Sequence, residues 1–196
     1  MSDQLADLQR IGLKLFCADG VAVRPHQLVP IFHRWIQQHS VEQMLIDVAD
    51  YEHVPDGPAI VVVAHEGNYS VDLGGGQLGL AYTRKQPVDG DLAARLNSLV
   101  RTVFGAARLL EQDAALGGRL RFRADRMALF ANDRLRAPNQ ASTYAAFQPT
   151  LDSLLRRLYD GASLEVSRPT DARDRFGVSI RASSAPSLDH VLARLG

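Results

Sequence analysis

One run of apolar residues constrains the fold of this chain more than any other feature. Residues 59–65 read AIVVVAH. In a strand, alternate residues face opposite sides, and here the residues on both sides are apolar. Such a run is typical of a strand that is covered on both sides. It ends at His65 and Glu66, and a polar segment with three consecutive glycines follows. The pattern predicts a central strand whose end carries two groups capable of chemistry.

The segments around this run predict an α+β fold, with three to four helices packed on a mixed, mostly antiparallel sheet. Runs of consecutive strands separated by helices favour that class. No shift in composition marks a linker, so we expect residues 1–196 to form a single domain. LKLFCAD (13–19) and LRFRAD (120–125) each precede an amphipathic helix and two strands, which is the pattern of a weak β-α-β-β internal repeat.

Alternation and periodicity locate the predicted elements. Strands are expected at 11–18, 44–48, 59–65, 119–124, 127–132, 162–167 and 176–181, with a further hairpin, YSVDL and LGLAYTR, around GGGQ. Helices are expected from Pro25 or Pro30, over 90–113, up to Tyr159 and over 188–195. The segments 119–124 and 127–132 are predicted to form a hairpin that turns at Asp125 and Arg126. The triple glycine lies between two strands, so we interpret it as a turn rather than a phosphate-binding loop.

Charge is distributed unevenly along a chain whose formal net charge is zero. The acidic region, residues 42–72, holds seven Asp and Glu and no Lys or Arg, whereas the basic region, residues 119–175, is rich in Arg. Opposed charges of this kind can meet within a molecule or between subunits, or they can form two separate solvated surfaces. Our first hypothesis is a cytoplasmic, non-catalytic protein that binds a partner or small ligand and forms a homo-oligomer through these regions.

The acidic region also supports a second hypothesis, a metal-assisted hydrolase. Several oxygen and imidazole donors must converge to hold a divalent metal, and the metal would lower the pKa of a bound water. The predicted metal ligands are His53, His65, Asp47 and Asp50, and the predicted general base is Glu66 or Asp72. The alternative is that these residues are ordinary turn and strand-end residues.

A third, weaker hypothesis is an RNA-associated protein. Arg119, Arg121 and Arg123 alternate, which predicts an outward row on one strand within residues 119–136. The balanced net charge and the few aromatic residues near this row argue against nucleic-acid binding.

Three further features favour a cytoplasmic protein without a membrane segment. No apolar run reaches the roughly 18 residues that a membrane helix needs, and the N-terminal MSDQLADLQR does not resemble a secretory signal. Cys17 is the only cysteine. It lies in a predicted strand with its side chain facing the same way as Leu15, so we expect a buried, inert thiol rather than a nucleophile.

Overall fold

A computed structural model describes residues 5–54 and 57–195 of the chain. The strands are β1 (Ile11–Cys17), β2 (Leu45–Asp50), β3 (Pro58–Ala64), β4 (Gly67–Asp72), β5 (Gly79–Arg84), β6 (Phe122–Ala131), β7 (Leu164–Ser167) and β8 (Gly177–Ala182). The helices are α1 (Val29–Gln38), α2 (Leu92–Gln112), α3 (Ala141–Leu158) and α4 (Leu188–Arg194). The strands form one antiparallel sheet in the order β2–β3–β4–β5–β1–β6–β8–β7. The predicted single α+β domain is confirmed, whereas the internal repeat stays a prediction.

The helices pack on one face of the sheet. α1, α2 and α4 contact the sheet directly, and α3 packs on α2 and α4. Leu13 lies at the centre of this covered face, fully buried, in register with Tyr82 on one side and Leu129 on the other. Trp35 of α1 meets Tyr69 of β4 edge to face, 6.3 Å between ring centroids. The hydrophobic core therefore lies between the helices and this single face.

The opposite face carries no helix in the parts of the chain that the structure describes, and we refer to it as the uncovered face. One row of side chains crosses it in register from β3 to β7. The members of this row are Val61, Ser70, Ala81, Lys14, Ala128, Ser179 and Ser167. Most of them are small or polar, which suits a surface that meets water.

The apolar run at 59–65 is not a central strand. It forms β3, which is the second strand from the β2 edge. Ile60 and Val62 are buried on the covered face, whereas Val61 and Val63 lie on the uncovered face and are partly exposed. The prediction of cover on both sides is wrong because periodicity records that both sides of a strand are apolar but does not show what packs on each.

The hairpin predicted at 119–132 is also wrong, because residues 122–131 form the single strand β6. The register between β1 and β6 shifts between Leu15 and Cys17, which leaves extra residues on β6. Asp125 is buried there and pairs with Arg123 at 2.7 Å. The polar residues that indicate a turn therefore belong to a bulge.

The glycine turn is confirmed, since β4 and β5 pair around Gly75 and Gly76, whose φ values are 70° and 68°.

Glycines let large side chains lie flat on the uncovered face. The Phe130 ring occupies the space above Gly12, where a Cβ atom would lie 2.3 Å from it. Lys14 lies in the same way across Gly79, at 2.8 Å. At these two positions the protein's own side chains fill the space beside the backbone.

A substitution at Gly67 tests how tightly β4 packs against β5. A Cβ atom there would lie 2.4 Å from Cζ of Tyr82 and 2.6 Å from the backbone oxygen of Thr83. Because backbone cannot move aside cheaply, we expect Gly67→Ala to lower the free energy of unfolding by about 2 kcal/mol. That corresponds to roughly 4–8 °C in the thermal midpoint.

Gly105, in the middle of α2, is the matched control, since a Cβ atom there meets nothing within 4 Å. Gly105→Ala should be neutral or stabilising by up to about 1 kcal/mol. Thermal and urea denaturation of both variants measure the difference. Equal effects of the two substitutions would contradict this account of the packing.

Candidate functional site

His65 and Glu66 form the two-residue turn between β3 and β4. The backbone amide of His65 donates to the oxygen of Met44 at 2.9 Å. In return, Oε2 of Glu66 accepts the amide of Met44 at 3.1 Å. The Glu66 carboxylate, predicted as a general base, thus fastens the start of β2 to this turn, while the His65 side chain is 61% exposed.

Asp50, His53 and Asp72 lie at the opposite end of these strands. Asp50 accepts the amide of Glu52 at 2.9 Å in a local turn, and the exposed His53 lies beside the ring of Tyr51. β3, seven residues long, separates this end from the His65 turn by about 20 Å. The expected convergence of His53 and His65 on one site is therefore wrong.

Asp47, the fourth predicted metal ligand, lies on β2 in register with Val63. It is exposed, and its Oδ1 accepts the amide of Val48 at 2.8 Å. Within residues 5–54 and 57–195, no group of three or more His, Cys, Asp and Glu is placed to hold a metal ion. The six predicted residues therefore do not come together at either end of the strands.

Asp72 instead forms an ion pair that the sequence did not reveal. Nζ of Lys14 lies 2.5 Å from Oδ1 of Asp72 and also donates to the oxygen of Gly74 at 3.1 Å. The amide of Gly74 donates to the same carboxylate oxygen at 3.0 Å. The Lys14 side chain is only 9% exposed. This pair crosses β5 and ties β4 to β1.

The predicted outward row of arginines on one strand is wrong. Of Arg119, Arg121 and Arg123, only Arg123 lies within a strand. Arg119 donates to backbone oxygens, Arg121 pairs with Glu111, and Arg123 pairs with Asp125. Each guanidinium group is engaged within the chain, and the three do not form the predicted row.

A different set of arginines lies on the uncovered face. Arg126 stacks on Phe16, 4.6 Å from the ring centroid, and Arg175 stacks on Phe130 at 3.7 Å. Arg181 lies in register with Arg126 on the neighbouring strand. Periodicity could not find this group, because strands β6 and β8 are brought together only by tertiary pairing.

The acidic and basic regions lie on opposite sides of the sheet centre. The acidic region holds β2, β3 and β4, the basic region holds β6 and β7, and β5 and β1 separate them. Among the described residues, no ion pair joins the acidic region to the basic region; Asp56 lies outside these residues. The uncovered face therefore has an acidic half, β2 to β4, whose carboxylates are Asp47 and the Lys14-paired Asp72. Its basic half, β6 to β7, carries Arg126 and Arg181.

No family model, no curated protein and no solved structure matches this chain. No helix of the described part of the chain is long and apolar enough to cross a membrane.

The Lys14–Asp72 pair should contribute measurably to stability. Asp72→Asn leaves a mostly buried ammonium group without its counter-charge, so we expect a loss of about 2 kcal/mol at neutral pH, less than for a fully buried pair because Asp72 is 25% exposed. Asp47→Asn, at an exposed carboxylate, should change stability by less than about 0.5 kcal/mol. Urea denaturation measures both, and a larger effect at Asp47 would overturn this ranking.

Cys17 should be unreactive in the folded protein. Burial raises the pKa of the Cys17 thiol to about 12, despite the nearby Lys14, which lowers it. At pH 8 only about one molecule in ten thousand then carries the thiolate that reacts. A disulfide reagent such as DTNB should label the native protein far more slowly than the protein in urea. Equal labelling rates would show that the thiol is not protected.

Proposed function

We propose that this protein is a non-catalytic binding protein that self-associates by stacking the uncovered faces of two copies. The observation that carries the proposal is the separation, on one face, of the exposed Asp47 on β2 from Arg126 and Arg181 on β6 and β8. Opposite charges can meet within a molecule or between molecules. The described ion pairs do not join the acidic and basic regions within the chain, and Asp72 acts on Arg175 only at a distance beyond an ion pair. A second copy offers each region its complement.

Charge also selects the direction of the symmetry axis. A two-fold axis parallel to the strands stacks β2 of one copy over β7 of the other and β4 over β6, so the acidic half lies over the basic half. A two-fold axis that lies between the sheets and runs perpendicular to the strands would instead stack β2 over β2 and β7 over β7. Each charged half would then lie over its own like charge. Both arrangements are closed and isologous, as in most homodimers, so charge alone distinguishes them.

The size of the uncovered face supports a stable contact. Eight strands, spaced about 4.8 Å apart and each roughly five residues long, present about 600 Å². Two copies then bury about 1,200 Å² in total, above the roughly 1,000 Å² expected of a specific interface. The small residues Ala81 and Thr83 of β5 would face β1 of the partner, which leaves room for Lys14 and Phe16.

Multi-angle light scattering at about 50 μM protein tests the proposal. In roughly 20 mM salt we expect twice the chain mass of 21.5 kDa, because the charges are weakly screened. In about 500 mM salt the mass should fall toward that of the monomer. A monomer in both buffers would overturn the proposal.

Charge reversal identifies the surface. Combining Arg126→Glu with Arg181→Glu on the uncovered face should raise the dissociation constant at least about tenfold, a loss of about 1.4 kcal/mol. Arg156→Glu is the control, because this exposed arginine lies on α3 in the helical layer. If Arg156→Glu weakens association as much as the double variant, the contact lies elsewhere.

We further propose a cytoplasmic location. A chain with a single cysteine gains no internal disulfide from an oxidising compartment.

A further inference from the structure

We infer that a small groove in the basic half of the uncovered face binds a phosphate-type oxyanion, as the free ion or as the head of a phosphate monoester. The groove lies over β6, β8 and β7, and its side-chain lining includes Phe16, Arg126, Glu165, Ser167, Ser179 and Arg181. Its volume is about 180 Å³. That accommodates an ion of this size but falls below the roughly 300 Å³ at which sites for larger organic ligands begin.

Two arginines lie directly opposite each other in this groove. Arg126 pairs in register with Arg181, which places their Cβ atoms about 5 Å apart. Like charges at such positions destabilise a sheet. Within the described residues neither guanidinium group forms an ion pair with a carboxylate, and Asp125 acts on Arg181 only at longer range. An anion bound between the two groups would convert this repulsion into two attractions.

Arg126 is held in position without a ligand. It stacks on the Phe16 ring at 4.6 Å, and it donates a hydrogen bond of 2.7 Å to Oε1 of Gln77. A fixed guanidinium group presents two parallel N–H donors, which match two oxygens of a phosphate. Less conformational entropy is lost on binding as a result.

Two hydroxyl groups complete the donor set. Ser179 lies two residues before Arg181 and so on the same face of β8. It is in register with Ser167 of β7. The arginine row and the serine row are therefore adjacent, and a tetrahedral ion between them has enough oxygens to accept from both.

Glu165 allows a test in which the inference predicts tighter, not weaker, binding of the anion. It lies in register with Arg181 on β7 and lines the same groove, yet the two form no ion pair within the described residues. Its carboxylate opposes an incoming anion. Removing that charge with Glu165→Gln should therefore tighten binding, an effect that loss of structure would not produce.

Binding should also affect self-association, and this consequence rests on the proposed function. A phosphate in the groove cancels positive charge that would attract the acidic half of a second copy. Phosphate should then shift the protein toward monomer more strongly than chloride at the same ionic strength. If phosphate binds but the mass stays unchanged, the groove stands and the proposed interface fails.

The test is a titration of ¹⁵N-labelled protein with inorganic phosphate at constant ionic strength, followed by the amide shifts of β6, β8 and β7. Chloride is the reference ion, and glycerol 3-phosphate distinguishes a monoester head from the free ion. These shifts report binding whether or not the chain dimerises. Equal shifts with phosphate and chloride would overturn the inference.

Variants locate the site. Arg181→Gln should weaken phosphate binding at least about tenfold, since one charge-assisted contact is lost, and Glu165→Gln should tighten it about threefold. Arg156→Gln, on the helical layer, should leave binding unchanged. Equal affinity in Arg181→Gln and Arg156→Gln, or weaker binding in Glu165→Gln, would contradict the assignment.

Discussion

The sheet buries one face only, and the rest of the structure depends on that constraint. All four helices lie on the covered side, where Leu13, Tyr82 and Leu129 form the centre of the core. The other side must remain compatible with water without help from a second layer. It does so with small residues, flat-lying side chains and arginines stacked on the rings of Phe16 and Phe130. A surface built in this way can face water, and sheets are known to pack face to face.

Lys14 links the stability of the protomer to this surface. Its position at the centre of the sheet would suit an apolar residue, but its chain lies across Gly79 and its charge is neutralised by Asp72. One acidic residue is thus satisfied internally, while Asp47 at the edge remains exposed and unpaired among the described residues. The charges left over on either half of the face are the ones available to a partner or an anion.

Much of the fold could be predicted from the sequence because it depends on local signals. Periodicity located the helices, and the triple glycine located the β4–β5 turn. The wrong predictions concern features that depend on which elements pack or pair in the folded structure. The apolar run at 59–65 does not show what covers each side of its strand. The polar residues Asp125 and Arg126 resemble a turn in the sequence but belong to the bulge in β6. The site was missed for the same reason: Arg126 and Arg181 meet only through strand pairing, whereas His53 and His65, close in sequence, lie at opposite ends of β3.

The distance between spin labels in the dimer tests the central claim most directly, namely that two uncovered faces stack with the axis parallel to the strands. Labels at Ala49→Cys on β2 of both copies should lie about 34 Å apart, the width of seven strand spacings. A mixed dimer labelled at Ala49→Cys on one copy and Ser167→Cys on the other should give roughly 10–20 Å, since stacked sheets are about 10 Å apart. A short distance between the two Ala49 sites, with a long mixed distance, would contradict the account.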